Sequence, residues 1–310
     1  MAETLVVVAF LEAAVRLGVP LALAALGETL SERTGVINIG LEGSIIAGAL
    51  GGALGALATE SAAVGVLVGA AAGLAVAAVF ALFVVVLNTD QIITGTAVTL
   101  GGLGFTAVVY QSRFGATGTA LTLPTLDAWS VPLLSDIPWI GSALFAQAPT
   151  AYFTYALAPV LWWLLFRTEW GLEIRAAGED PDAAAAAGVR VRTLRFVTTV
   201  AAGALAGIAG AHLALAHTGT FSEGMSAGKG FIAIAVVVLG RWNPIGVLVA
   251  ALFFGAASAL QFALQTLGLD IGYQLFLAFP YVLTLAALAG WVGRSRAPAA
   301  LALPWPRDGH

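Results

Sequence analysis

The chain has 310 residues, of which 60% are hydrophobic and only 10% are charged, and its formal net charge is -4. About a quarter of the residues in a soluble domain are charged, so this composition excludes an ordinary soluble protein. The absence of cysteine excludes disulfides and thiolate metal sites, and an acidic balance without a basic cluster argues against a nucleic-acid partner.

Apolar runs of about 20 residues recur along the chain and predict membrane-spanning helices, because lipid cannot satisfy an open backbone. The first run lacks a basic leader and a clear cleavage site, so it is interpreted as a retained span and not as a signal peptide. The seventh has about 12 residues, which rise about 18 Å as a helix and fall short of a hydrocarbon core of about 30 Å. This segment is therefore predicted to be tilted, broken or re-entrant, or to gain a turn from the residues before it. Nine spans are predicted, near residues 4–26, 36–58, 64–87, 92–112, 150–166, 196–217, 229–240, 244–266 and 273–293.

Glycines recur at four-residue intervals within three of these spans. This spacing lines small residues along one helix face and lets two helices approach closely. It predicts tight helix packing at Gly48/Gly52, Gly51/Gly55, Gly65/Gly69/Gly73 and Gly203/Gly207.

Polar side chains at or inside the spans are the candidate functional groups, because a charge in the membrane normally faces a partner or a cavity. Glu12 and Arg16 are four residues apart and can pair on one face of the first helix. Further polar residues lie in the stretch 31–43, "SERTGVINIGLEG", and around the start of the fourth span, at 88–96. Two interpretations stay open: a structural network that locks the helices, or a polar pathway for a substrate.

Two long connections join the spans, at 113–149 and 167–195. The positive-inside rule places the second connection and the C-terminal tail in the cytoplasm, which leaves the N-terminus and the first connection outside. In 167–195, Asp180 can cap a short alanine-rich helix that Gly188 ends. That helix is either a docking element for another protein or a solvated connector. The basic residues behind this orientation are Arg167, Arg175, Arg190, Arg192 and Arg195 in the connection, and Arg294, Arg296 and Arg307 in the tail.

Signatures of catalysis are weak. The stretch "GMSAGKG" at 224–230 has one residue too few between its glycines for a phosphate-binding loop, and Gly230 stands where a metal-binding Ser or Thr is required. His212 and His217 are five residues apart, which does not align them on one helix face as a metal-binding pair. The chain is therefore predicted to be non-catalytic and to bind no metal or cofactor.

Residues 27–49, "GETLSERTGVINIGLEGSIIAGA", resemble the N-terminal signature of permease subunits of ABC importers that take up nucleosides with basic-membrane-protein-type binding proteins. That group is related to ribose and branched-chain amino acid permeases. Other segments resemble the family in the same order, including "DQIITGTAV", "GLEIRAAGEDPDAAAAAGVRV" and "GKGFIAIAVVVLGRWNPIG". The additional N-terminal helix of ribose-type permeases is not found.

The resemblance implies an all-α polytopic membrane protein with about nine transmembrane helices, similar to the permeases of type II ABC importers. Residues 1–310 would form a single permease domain in the cell membrane that carries nucleosides or related small polar solutes. A partner ATPase subunit would bind ATP and magnesium. A second, homologous permease would complete a heterodimer, and a lipoprotein would deliver the substrate.

The resemblance also assigns roles to residues. The stretch "GVINIGLEG" would break the chain and place Asn38 and Glu42 toward the translocation path, and the segment at 167–195 would couple the permease to the ATPase. The path candidates are Arg16, Asn38, Glu42, Asn88, Gln91 and Thr94. The coupling candidates are Glu173, Arg175, Glu179, Asp180, Ala184, Ala185 and Gly188.

The competing hypothesis is an ion-coupled secondary transporter of small polar solutes. Glu12, Arg16 and Glu42 would then form a relay through the membrane. Such transporters are commonly built from inverted repeats, and no convincing inverted repeat is found in the sequence. A membrane-embedded enzyme is disfavoured because no set of catalytic residues is found.

Overall fold

The structure is a computed structural model that describes residues 2–115, 121–138, 140–266, 282 and 297–305. Within these residues nearly all regular structure is helical, as the composition predicts. Two short strands, β1 (Trp129–Ser130) and β2 (Ala146–Gln147), pair antiparallel. The helices are α1 (Ala2–Arg33), α2 (Leu41–Thr59), α3 (Ala62–Ala81), α4 (Gln91–Phe114), α5 (Gly141–Phe145), α6 (Pro149–Arg167), α7 (Glu169–Glu179), α8 (Pro181–Ala186), α9 (Val191–His212), α10 (Lys229–Leu239) and α11 (Pro244–Thr266).

Six helical segments are long and apolar enough to cross a membrane, and they account for six of the nine predicted spans. Helix α6, which corresponds to the predicted span at 150–166, has 19 residues but is not among them. Helix α10 has 11 residues, so the prediction of a short seventh segment is confirmed. Apart from Val282, the predicted span at 273–293 lies outside the described residues, as do Arg294, Arg296 and Arg307. The six segments are Val7–Arg33, Leu41–Thr59, Ala62–Val86, Gln91–Phe114, Val191–Thr218 and Pro244–Gln265.

Two helix boundaries between α1 and α2 differ from the prediction. Helix α1 runs on to Arg33, and α2 begins only at Leu41. The helix ends where Gly35 takes a φ of +94°, a left-handed conformation that glycine adopts without strain. Residues 34–40 are not helical, so the chain is broken within the stretch "GVINIGLEG" that the resemblance marks as a break.

The connection at 167–195 folds into two helices, α7 and α8. Asp180 caps α8 as predicted, because its Oδ1 accepts the Ala183 N–H at 3.0 Å. Gly188 follows the helix with a φ of +94°. The short capped helix is therefore confirmed, whereas the separate helix α7 before it was not predicted.

The bundle has two ends that can be defined by contacts. At the Arg33 end, Gly178 of α7 packs directly on the Arg33 carbonyl, and Arg195 Nε of α9 donates to the Thr34 carbonyl at 2.9 Å. At the His212 end, His212 Nδ1 and the Thr150 hydroxyl are 2.6 Å apart. Residues 297–305 also lie at the Arg33 end, so 167–195 and this part of the tail share one side, as the charge pattern predicts.

Helices α2, α3 and α9 pack backbone to backbone at their glycines. A Cβ added to Gly48 would lie 2.4 Å from Gly207 Cα, and one added to Gly73 would lie 2.4 Å from the Gly203 carbonyl oxygen. No larger residue fits there without moving a helix, so the predicted glycine packing is confirmed. Helices α3 and α9 then continue into the π-helical turns Leu82–Val86 and Leu213–Thr218.

Replacing Gly207 by alanine should destabilise this packing. The new Cβ would lie 2.3 Å from the Gly69 carbonyl oxygen and 3.0 Å from Gly73 Cα, and backbone atoms cannot rotate away. Overpacking of this kind costs about 1–3 kcal/mol. It should appear as a lower melting temperature of the purified permease in detergent.

The matched control for this substitution is Gly104→Ala in α4. No described atom lies within 4 Å of a Cβ at that position. Because alanine favours the helix over glycine by about 1 kcal/mol, the control should be neutral or slightly stabilising. Equal melting temperatures for the two variants would contradict the packing argument.

Candidate functional site

The break between α1 and α2, residues 34–40, is buried inside the bundle. A buried non-helical backbone needs hydrogen-bond partners, and side chains from α1 and α4 provide them. The Asn38 N–H donates to Glu28 Oε1 at 2.7 Å, the Ile37 N–H donates to Gln91 Oε1 at 2.9 Å, and Thr99 Oγ1 donates to the Ile39 carbonyl at 3.0 Å. Side chains of two neighbouring helices thus hold the break in a defined conformation.

Two fully buried carboxylates, Glu28 and Glu32, lie on α1 just before the break. Trp242 Nε1, from the turn between α10 and α11, donates to Glu32 Oε2. Glu28 Oε2, Glu32 Oε1 and both polar atoms of the Asn38 side chain have no hydrogen-bond partner among the described residues. The interior beside the break therefore holds hydrogen-bonding capacity that the described fold does not use. Neither carboxylate is among the predicted path residues, although their four-residue spacing places them on one helix face.

Glu42 holds the start of α10. Its Oε1 accepts the Gly228 N–H at 2.8 Å and its Oε2 accepts the Gly230 N–H at 2.6 Å. A carboxylate is favoured at this position because the first N–H groups of a helix are unpaired and its N-terminus is partly positive. Helix α10 therefore begins inside the bundle beside the start of α2, which explains why it is short.

Asn38 and the start of α4 are neighbours. Asn38 Oδ1 and a Val98 methyl group lie 3.1 Å and 3.0 Å from a Cβ built on Gly40, so the amide lies close to α4. Before α4, Asn88 has a left-handed φ of 54°. The Thr94 hydroxyl lies 2.8 Å from the Thr89 hydroxyl.

A groove of about 520 Å³ runs between α3 and α4, and Thr94 lies on its otherwise apolar lining. The structure thus brings Asn38, Asn88, Gln91 and Thr94 to one region around the break. Glu42 lies in the first turn of α2, directly after the break.

Arg16 lies elsewhere. It lines a separate cavity of about 210 Å³ at the His212 end, together with Glu12, Gln147 and His212. Among the described residues no ion pair joins Glu12 to Arg16, so the pairing expected from their spacing is not formed. Arg16 therefore does not share a site with the other path candidates.

The coupling candidates occupy α7, α8 and the turn after them. Glu173 and Gly188 are exposed, and Arg175 stacks over the Phe166 ring at 5.4 Å from its centroid. Ala184 is only 4% exposed and packs inward against Ala177 and Val191. The surface of α8 that is open to a partner consists of the exposed residues Ala183 and Ala186, with Ala187 just beyond the helix. The exposed Asp182 already accepts a hydrogen bond from Trp305.

This arrangement offers hydrogen-bonding groups. Among the described residues, no group of three or more His, Asp or Glu side chains could hold a metal ion. The buried amides and carboxylates around the break suit transient binding of a polar molecule.

Comparison with known proteins gives matches over nearly the whole chain. Residues 10–288 match the family model described as branched-chain amino acid transport system / permease component. No solved structure gives a significant match.

Three relatives are similar from end to end. The guanosine ABC transporter permease protein NupQ of Bacillus subtilis is 37% identical and covers 92% of each chain. The nucleoside ABC transporter permease protein NupC of Lactococcus lactis is 35% identical and covers 91% of each. TsgC13 of Haloferax volcanii, provisionally named a glucose ABC transporter permease protein, is 36% identical over 96% of this chain and 97% of its own. A second permease from each of these organisms also matches, over a smaller part of this chain.

Proposed function

Since the chain belongs to the family of branched-chain amino acid transport system permease components, we propose that it is the subunit that forms the solute path of an ATP-driven importer of nucleosides or sugars. The observation that carries this proposal is the end-to-end similarity to ABC permeases named for guanosine, nucleosides and glucose. The chain itself performs no catalysis, and ATP with magnesium would be bound by a partner ATPase.

The solute would pass close to the break at 34–40 and the start of α4. Support comes from the unpartnered side chain of Asn38 and the free carboxylate oxygens beside it, which can bind hydroxyl and amide groups. Nucleosides and sugars are rich in such groups and carry no net charge. Contacts of this kind are weak, which suits release after passage.

The Arg33 end would face the cytoplasm and contact the ATPase through α7 and α8, and the N-terminus would lie outside. The basic residues of 167–195 support this orientation. Nine crossings and a type II importer architecture would complete the permease.

A homologous second permease would be the membrane partner, since each of the three organisms above holds two matching permeases. A substrate-binding lipoprotein would deliver the solute from outside.

Uptake by the reconstituted complex tests this function. Proteoliposomes that contain the permease pair and the ATPase, with the binding protein outside, should accumulate radiolabelled guanosine, uridine or glucose only when ATP can reach the ATPase. Liposomes without the ATPase are the control. Uptake that needs no ATP and stops when an ionophore collapses the ion gradient would instead indicate a secondary transporter.

A further inference from the structure

Residues 297–305, here called the C-terminal strap, lie across the Arg33 end of the bundle. The strap has no helix or strand, yet Ala300 is only 1% exposed. The Ala300 N–H donates to the Gly178 carbonyl of α7 at 2.8 Å, and the Ala302 N–H donates to the Gly35 carbonyl at 3.0 Å. The backbone of the strap therefore joins α7 directly to the chain break.

The strap also contacts α8. Trp305 Nε1 donates to Asp182 Oδ1 at 2.7 Å. The indole ring packs against the small cluster that contains Ala177, Ala184 and Val191. One side chain thus holds α8 by a hydrogen bond and by apolar contact together.

Arg195 of α9 ties the strap to the break a second time. This residue is only 3% exposed. Its Nη1 donates to the Leu303 carbonyl at 3.1 Å, while its Nε donates to the Thr34 carbonyl at 2.9 Å. The strap, the start of α9 and the break therefore share one set of hydrogen bonds.

Helix α8 depends on such contacts because it has only six residues. A helix of that length is not stable on its own in water, so tertiary contacts must set its position. The strap supplies two of them, the Trp305 hydrogen bond and the packing on Ala184, and the same strap is anchored at Gly35.

We propose that the C-terminal strap is a positioning element that fixes α7 and α8 relative to the break at residues 34–40, with the Trp305–Asp182 hydrogen bond as its contact to α8. The proposal rests on the proposed function, because the movement that the strap transmits would come from the partner ATPase. When the ATPase displaces α8, the strap would carry that displacement to Gly35.

Two variants remove the contact from opposite sides. Trp305→Phe keeps an aromatic ring but loses the N–H donor, and Asp182→Ala loses the acceptor. Hydrogen exchange of the amides in α8, measured by mass spectrometry on the purified permease, should be faster in each variant by about 2- to 10-fold, as expected for one net hydrogen bond. In the reconstituted complex, the ATP consumed per solute imported should rise.

A double variant separates this role from direct contact of Asp182 with the ATPase. If the two residues act through one bond, the double variant should behave like either single variant. Asp182→Asn keeps an oxygen acceptor and should behave like the unsubstituted chain. Trp163→Phe is the matched control, because Trp163 is 58% exposed on α6 and its indole has no hydrogen bond among the described residues.

Unchanged exchange in both single variants would overturn the proposal, and so would additive effects of Trp305→Phe and Asp182→Ala. An unchanged ratio of ATP to solute in both variants would also overturn it. The exchange measurement needs only the permease, so it stays decisive even if the unsubstituted complex fails to import any solute, a result that would reject the proposed function.

Discussion

Glu42→Gln should reduce solute uptake and the yield of folded permease together. Both oxygens of Glu42 accept backbone N–H groups at the start of α10, at 2.8 and 2.6 Å. Glutamine offers one oxygen and would turn its NH2 group toward the other N–H. Each hydrogen bond to a charged group contributes about 1.5–3 kcal/mol, a large part of a typical stability of about 5–15 kcal/mol. The yield of monodisperse permease and the uptake per folded molecule should be measured side by side.

Glu60→Gln provides the matched control for this change. Glu60 is exposed just after α2, and none of the described contacts involves its carboxylate. This variant should fold and transport normally. If Glu42→Gln folded with normal yield but did not transport, Glu42 would be a path residue and its hold on α10 would not be essential for folding.

Ala186→Trp should abolish docking of the ATPase while the permease stays folded. Ala186 is exposed on α8, so an indole there should collide with a docked ATPase without disturbing the interior of the permease. Retention of the ATPase on co-purification should fall by at least about tenfold, which corresponds to about 1.4 kcal/mol. Substrate-stimulated ATP hydrolysis should fall with it.

The same substitution at Ala184 should act differently. Ala184 packs inward against Ala177 and Val191, so tryptophan there would overpack the interior and lower the melting temperature of the permease itself. A folded Ala186→Trp variant that still binds the ATPase and supports import would remove α8 as the coupling element. That role would then fall to another segment at the Arg33 end.

The features that sequence predicted correctly are local. Apolar runs identify the helices, the glycine spacing identifies the faces on which α2, α3 and α9 meet, and Asp180 marks the start of α8. Each depends on residues that are neighbours along the chain or repeat with the helical period. The short length of α10 was also visible in the sequence.

The features that sequence missed depend on contacts between distant residues. Nothing local shows that Glu28 and Gln91 satisfy the backbone of the break, or that Trp305 reaches Asp182. Ala184 looks like its alanine neighbours in the sequence, and only the packing of α8 on α9 turns it inward. Arg16 has the polarity expected of a path residue, but its position along α1 puts it near the opposite end of the bundle.

The glycine contacts of α2, α3 and α9 have a mechanical consequence. Where Gly48 meets Gly207 and Gly73 meets Gly203, backbone touches backbone, so these helices leave no channel between them and cannot slide without collision. They should therefore move through the transport cycle as one rigid body. Among the six segments that are long enough to cross a membrane, α4 has the smallest buried share. Helix α10 is attached to α2 through Glu42. Conformational change is thus expected at the boundary of the rigid body with α4, which adjoins the break, whereas the two Glu42 hydrogen bonds keep α10 with α2.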